Sequence, residues 1–177
     1  MLETARLHIL PLNVPALELY LQGNNLFELE QGLTLTNRSV HTDVRRYVNS
    51  ITLPCMRKAP EDHFLFFTFW LVIEKNTRLV VAEMGFKGVP NPAGVVEIGY
   101  GTVEGARNKG FMTEAVAAVI AWSSKRQDIS TVLAETAKTN TASIRVLQKN
   151  GFEQYDQKGD MLWWRTIFAQ KSGFTPV

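Results

Sequence analysis

Cysteine is nearly absent from this chain of 177 residues, which carries the single thiol of Cys55. An internal disulfide is therefore impossible, and we expect a cytoplasmic protein. The most apolar run, FLFFTFWLVI at 64–73, is about half as long as the roughly 20 residues that span a bilayer as a helix. The first residues also lack the basic and apolar segments of a secretion signal. We therefore expect no membrane partner.

A strong excess of one charge is also missing. The 19 basic and 17 acidic residues leave a formal net charge of +2, whereas a general nucleic-acid binder usually carries a concentrated basic face. We therefore expect no nucleic-acid partner. The three histidines, His8, His41 and His63, are scattered without ligand spacing, so we expect no metal site. No histidine-plus-acid pattern accompanies Cys55, which argues against a nucleophilic role.

What is present fits an ordinary globular protein, with 45% apolar and 20% charged residues. We find no repeat or linker, so we expect a single domain over 1–177. Periodicity and breakers predict these elements in order: a strand at 6–10, helices at 15–23 and 39–51, a loop around Pro54 and Pro60, strands at 64–75, 78–88 and 95–103, a helix at 112–126, a strand at 130–138, a short helix ending before Gly151, and a hairpin around Lys158-Gly159.

This order predicts an α/β fold of the α+β type. The strands at 64–75, 78–88 and 95–103 should form an antiparallel meander. The crossover from the strand at 95–103 through the helix to 130–138 should be right-handed, so those two strands should run parallel. The sheet is then mixed and mostly antiparallel.

The stretch ARNKGFMT at 106–113 places a basic, glycine-containing loop directly before a helix. A helix N-terminus offers unpaired N–H groups and a partial positive charge, and a glycine such as Gly110 lets an anion approach the backbone closely. The stretch therefore predicts a phosphate cradle. It matches neither a P-loop nor a dinucleotide-binding fingerprint. An ordinary helix start with a tight turn remains the alternative.

Two motifs, at the spacing they have here, resemble the GNAT family of acyl-CoA-dependent N-acetyltransferases. The pyrophosphate loop of that family, Arg/Gln-x-x-Gly-x-Gly/Ala, is similar to residues 107–112. The segments EIGYGTVEGARNKGFMTEA and NTASIRVLQKNGF are similar to the RimJ/RimL-like subgroup of ribosomal-protein N-terminal acetyltransferases. Met112 replaces the usual small residue of the loop, so we expect its side chain to turn into the core.

The resemblance implies helices on both faces of the sheet and a central parallel pair that splays apart into a cleft for acetyl-CoA, the co-substrate. Gly99 and Gly101 are compatible with a β-bulge at this cleft, or with simple packing against an aromatic ring. The implied cofactor-binding residues are Ile98, Tyr100, Thr102, Val103, Arg107, Asn108, Lys109, Gly110, Phe111, Met112, Thr113, Asn140 and Ser143.

Acetyl transfer needs a base for the amine and stabilisation of the leaving thiolate. Glu97 is our candidate base because its strand, VVEIGY, is strongly apolar, which strengthens a carboxylate as a base. A solvent-facing glutamate is the alternative, and Glu135 is held in reserve. Glu114 is expected only to favour the helix dipole.

The second motif bears on the leaving thiolate. The resemblance implies that Ser143 stabilises the thiolate, while Asn140 caps the helix. Leu147 stands where many relatives carry an acidic tyrosine, which excludes that acid here. Tyr155 is a weak substitute for it.

The sequence therefore predicts an acetyl-CoA-dependent N-acetyltransferase acting on a primary amine. The acceptor stays open between a protein N-terminus, a polyamine, an aminoglycoside-like amine and an amino acid. A CoA-binding sensor or scaffold without turnover is the alternative; a nucleotide-binding regulator lacks any base-reading motif. Trp163 and Trp164 point to opposite faces of a strand, which suggests a homodimer surface.

Overall fold

An eight-stranded sheet organises the residues that this computed structural model describes, 1–37, 40–60 and 63–168. The strands run in the order β1-β2-β3-β4-β5-β6-β8-β7. Their bounds are Leu2–Glu3 (β1), Leu7–Pro11 (β2), Trp70–Glu74 (β3), Val80–Phe86 (β4), Val95–Thr102 (β5), Thr131–Ala137 (β6), Glu153–Lys158 (β7) and Met161–Ile167 (β8). All neighbours are antiparallel except β5 and β6, which are parallel. The predicted mixed, mostly antiparallel sheet is confirmed.

Helices cover both faces of this sheet. One face packs against α5 (Phe111–Ser123) and α6 (Thr141–Lys149), with Met112, Val116 and Leu147 in its core. The other face packs against α1 (Val14–Gln22), α2 (Leu26–Glu30) and a helical stretch built from α3 (Thr42–Tyr47), a π-helical turn (Val48–Thr52) and α4 (Leu53–Lys58). The alternating residues of the strands divide between these two cores, as a period of two requires.

The parallel pair splays apart. Strands β5 and β6 pair only where Val95–Ile98 meets Thr131–Ala134, although β5 continues to Thr102 and β6 to Ala137. The expected cleft is therefore present. Of the two interpretations left open for Gly99 and Gly101, the bulge does not occur, because both glycines keep a regular register with β4. The opening arises from the divergence of β6.

The prediction of a loop around Pro54 is also wrong, whereas the part of that loop near Pro60 is not helical. The chain is helical from Thr42 to Lys58, and Pro54 lies in the first turn of α4. Proline has no N–H, so it fits where the helix does not need one. The π-helical turn just before it widens the helix, and the Leu53 N–H reaches back to the Val48 carbonyl. Ala59, before Pro60, is extended as expected.

The predicted strand at 64–75 is shorter than expected. Its first part is a 3₁₀ helix, His63–Phe66, and β3 begins only at Trp70. The amides of Phe67 and Thr68 both bond to the Phe64 carbonyl, which closes a turn there. An apolar run predicts burial but does not distinguish a short turn of this kind from a strand.

The last elements of the fold, from α6 to the β7–β8 hairpin, match the sequence prediction. Gly151 is left-handed (φ 73°) after α6, and the Phe152 N–H bonds to the Leu147 carbonyl at 3.1 Å, which completes a Schellman cap. In β8, Trp164 is buried and Trp163 is half-buried.

Among the described residues, no helix is both long and apolar enough to cross a membrane.

Candidate active site

A cleft of about 760 Å³ opens where β5 and β6 diverge. It is bounded by β5, the loop before α5, and the first turns of α6. Most of the predicted cofactor-binding residues line it: Tyr100, Thr102, Arg107, Asn108, Gly110, Phe111, Met112, Thr113, Asn140 and Ser143. Three predicted residues, Ile98, Val103 and Lys109, do not contribute to this lining.

The loop before α5 has the backbone of an anion cradle. Asn108 and Gly110 both adopt left-handed conformations, with φ of 62° and 79°, and no side chain caps the start of α5. The first amides of the helix, at Phe111 and Met112, therefore have no intrahelical partner. Met112 itself is only 5% exposed and packs in the core, as expected.

A brace from the first hairpin holds this loop, and no motif in the sequence indicated it. The Arg6 side chain donates to Glu114 Oε2 at 2.7 Å and to the Lys109 carbonyl at 3.0 Å. The Thr4 hydroxyl and the Arg6 amide both donate to Glu114 Oε1. Burial alone raises the pKa of Glu114, but these bonds and the guanidinium charge together lower it below its usual value. Glu114 thus does more than favour the helix dipole.

Strand β5 offers backbone groups to the cleft. The Glu97 carbonyl and the Val103 N–H bond toward β4, so the alternate residues point their backbone groups the other way. Ile98 meets β6 there and is buried. Beyond the last paired position, Tyr100 and Thr102 direct their N–H and C=O groups into the gap. They can pair with an extended ligand, as an edge strand does.

Cations surround the same cleft. Arg107 comes from the loop, and Arg145 and Lys149 come from α6. The two helical residues were missed, although their spacing of four places them on one face. Lys109 is exposed, and its carbonyl is engaged by Arg6. The cleft therefore suits a ligand that carries several phosphates.

Two hydroxyls meet beside the start of α6. Asn140 caps the helix by accepting from the Ser143 N–H at 3.1 Å, and the Tyr100 hydroxyl lies 3.0 Å from Ser143 Oγ. Burial raises the pKa of Tyr100, and the hydrogen bond to Ser143 offsets this only in part. Tyr100 therefore stays protonated near neutral pH. Leu147 is fully buried, and Tyr155 lies on β7 beside Arg165, outside the lining of the cleft.

A second cavity, of about 410 Å³, lies on the other face of the sheet. Its walls are β4, β5, the Phe66–Phe69 segment and the helical stretch from Tyr47 to Cys55. The wide π-helical turn sits in the middle of that stretch; such turns are frequent at functional sites. Tyr100 and Gly101 line both cavities, so the two meet at β5.

Glu97 forms an ion pair with Lys87. The Lys87 ammonium also lies 3.5 Å from Glu135 Oε2, and the side chains of Glu97 and Glu135 are 22% and 25% exposed. Burial lowers the pKa of Lys87, but its contacts with the two carboxylates outweigh this and raise it. Lys87 lines the second cavity and Glu97 does not. The sequence did not indicate this pairing, because it depends on the register between β4 and β5, which brings Lys87 beside Glu97.

The described residues hold no group of three or more histidine, cysteine or acidic side chains that could bind a metal ion. Cys55 lies on the wall of the second cavity as a free thiol.

A family model described as an acetyltransferase (GNAT) domain matches residues 28–153. The chain belongs to the GNAT family. A curated relative, an uncharacterized N-acetyltransferase named YjdG from Bacillus subtilis (strain 168), is 31% identical over 98 residues. That match covers 55% of this chain and 58% of the relative.

Solved structures share the fold. A GNAT-family acetyltransferase from Bacillus anthracis has a TM-score of 0.61 at 19% identity, covering 94% of this chain and 97% of that one. RimL, a ribosomal L7/L12 alpha-N-protein acetyltransferase in complex with coenzyme A, has a TM-score of 0.64 at 18% identity, covering 93% and 96%. A ribosomal-protein-S5-alanine acetyltransferase from Vibrio fischeri has the same TM-score and identity, covering 93% and 94%. The similarity to the RimL-like structures agrees with the predicted resemblance.

Proposed function

We propose that this GNAT protein transfers an acetyl group from acetyl-CoA to a primary amine by direct transfer. The observation that carries the proposal is the meeting of two cavities at Tyr100 and Gly101. One cavity has an uncapped helix start and an open strand edge, and the other is a separate recess on the opposite face. A donor and an acceptor that enter from opposite faces would meet at β5.

The residues of the cleft fit acetyl-CoA, which supplies the acetyl group as a thioester. The uncapped start of α5 and the cations Arg107, Arg145 and Lys149 would hold its phosphates. The backbone groups of Tyr100 and Thr102 would hold its extended arm. Binding on one face of β5 fixes the donor while leaving the opposite face to the acceptor.

The leaving thiolate would be stabilised by the hydroxyl of Ser143. A serine alone is a poor acid, but its Oγ can accept a hydrogen bond from Tyr100 and aim its own hydrogen at the thiolate. Tyr100 stays protonated, so it can hold this role throughout the neutral range.

Glu97 remains our proposed base for the amine. Glu97 does not line the second cavity itself. Its link to that cavity, the proposed site of the acceptor, is Lys87, which lines the cavity and pairs with Glu97. A base role therefore requires Lys87 to move aside or to exchange its proton with Glu97. Glu135, on the other side of the same ammonium, stays in reserve.

For the acceptor, a protein N-terminus is our first choice, because RimL, a structural neighbour, is named as an alpha-N-protein acetyltransferase. We also propose that the chain acts as one domain in the cytoplasm, where its lone cysteine stays reduced. A homodimer through the exposed face of β8 is proposed from half-buried Trp163.

The test is a panel of amines with free-CoA release as the readout, beside a calorimetric titration with acetyl-CoA. Acetyl-CoA binding with CoA release that depends on an added amine would support the proposal. Binding without release for every amine would favour a sensor or scaffold instead. Absence of acetyl-CoA binding would overturn the assignment of the cleft.

A further inference from the structure

The second cavity, which we propose for the acceptor, contains one carboxylate that the sequence analysis did not single out. Glu83 lies on β4, directly opposite Gly101 in the sheet register. Gly101 is one of the two residues that line both cavities. Glu83 therefore stands at the junction where donor and acceptor would meet, on the acceptor side.

The charge of Glu83 has no cationic partner among the described residues. Its Oε1 accepts a hydrogen bond from the Tyr20 hydroxyl, which is uncharged. The other charged side chain of the cavity, Lys87, is paired with Glu97 and Glu135 instead. Among the described residues that line this cavity, Glu83 is the one acid. In such surroundings, a bound cation stabilises the negative charge of a half-buried carboxylate.

The walls around Glu83 are mostly apolar. Tyr47 and Ile51 come from the helical stretch, and Phe67 and Phe69 come from the segment before β3. Tyr47 and Ile51 remain 56% and 47% exposed, so these side chains are available to a ligand. The recess therefore combines one carboxylate with an aromatic and aliphatic wall.

We infer that Glu83 binds the ammonium group of the acceptor, and that the acceptor carries an apolar group next to that ammonium. This inference rests on the proposed function and deepens it. The shared chemistry is a primary ammonium beside an apolar side chain, and it occurs both in free arylalkylamines and at peptide N-termini with an apolar first residue. Glu83 is an acceptor-binding residue in this scheme, while Glu97 and Ser143 keep their separate proposed roles.

The experiment measures binding directly, so that it does not depend on turnover. Calorimetry of the full chain, saturated with CoA, would use three probes: 2-phenylethylamine, the uncharged 2-phenylethanol, and a tripeptide amide that begins with phenylalanine. We expect the wild-type protein to bind an amine probe at least about tenfold more tightly than the alcohol. Preference between the amine and the tripeptide distinguishes a free amine from a peptide N-terminus.

Two substitutions test the residue. Glu83→Gln keeps the size of the side chain and removes its charge, so amine binding should weaken by about tenfold or more while CoA binding is unchanged. Glu153→Gln, an exposed acid on β7, is the matched control and should change neither.

The inference is overturned if Glu83→Gln binds the amine as wild type does. It is also overturned if the alcohol binds as tightly as the amine, or if no amine probe binds. Failure of the proposed function has a different signature, which is amine binding with no release of CoA from acetyl-CoA.

Discussion

The hydroxyl of Tyr100 lies 3.0 Å from Oγ of Ser143, across the gap between β5 and α6. This contact joins the strand that would hold the arm of acetyl-CoA to the helix that would stabilise its thiolate. Many family members place a tyrosine on the helix itself, at the position that Leu147 occupies here. In this chain a tyrosine hydroxyl reaches the same helix from the strand.

The first prediction concerns this pair of hydroxyls. Ser143→Ala should lower turnover by about tenfold or more, because the thiolate loses a hydrogen-bond donor. Tyr100→Phe should lower it less, since Ser143 keeps its own hydrogen. Steady-state kinetics with acetyl-CoA and an amine would measure both. Because burial raises the pKa of Tyr100 above its usual 10.0, the contribution of Tyr100 should persist up to that pH. Wild-type turnover in Ser143→Ala would remove the hydroxyl from the mechanism.

The second prediction concerns the base. Glu97→Gln should lower turnover at neutral pH by about 10²–10⁴, the usual loss for a general base, with acetyl-CoA affinity nearly unchanged. The deficit should shrink at high pH, where free amine is abundant. Glu135→Gln is the matched comparison, because it touches the same Lys87 ammonium, and it should cost less. If Glu97→Gln turns over normally at pH 7 while Glu135→Gln does not, the reserve residue is the base.

The third prediction concerns the phosphate loop. Gly110 is left-handed at φ 79°, a conformation that a branched residue adopts only with strain. Gly110→Val should therefore weaken acetyl-CoA binding by about tenfold or more, measured by calorimetry. Gly159→Val is the control, because Gly159 is also left-handed but lies in the β7–β8 hairpin. Equal losses in the two variants would indicate general backbone strain, and would count against the loop as the cofactor site.

The fourth prediction concerns the brace between Arg6 and Glu114. The folded pKa of Glu114 lies below its usual 4.5, so its ionised form is the one that the fold stabilises. The brace should contribute fully above pH 4.5 and be lost as the pH falls through the lower, folded pKa. Glu114→Gln should therefore reduce the free energy of unfolding by about 1 kcal/mol at pH 7. The difference from wild type should vanish in acid, as followed by urea unfolding at several pH values. The exposed Glu104→Gln also removes one carboxylate and should leave the free energy of unfolding at pH 7 near the wild-type value.

The fifth prediction concerns assembly. If Trp163 contributes to a homodimer, light scattering at high micromolar concentration should give twice the mass of the 19.9 kDa chain. Trp163→Arg should then shift the protein to the monomer, because a buried unpaired charge opposes association. A monomeric wild-type protein at that concentration would end this proposal.

Local signals in the sequence determined much of this molecule. The order of strands and helices from residue 70 onward follows from periodicity, and the parallel β5–β6 pair follows from the handedness of crossovers. Gly110 and Gly151 stand where left-handed backbone ends or begins a helix. The two motifs also indicated the family. A short local sequence is enough to set the backbone of a loop such as residues 107–112, so a motif of this length can be recognised without the tertiary structure.

The tertiary structure decided the partners of the charged and hydroxyl groups. Lys87 with Glu97, Arg6 with Glu114, Tyr100 with Ser143, and Glu83 beside Gly101 each join residues far apart in sequence or on different strands. Neither periodicity nor propensity carries information about such pairs, since each depends on sheet register and on which face a side chain takes. The continuation of the helix through Pro54 depended likewise on a wide turn that no local rule predicts. The sequence therefore predicted the loop and strand that we propose for the cofactor, and packing determined which side chains line the second cavity.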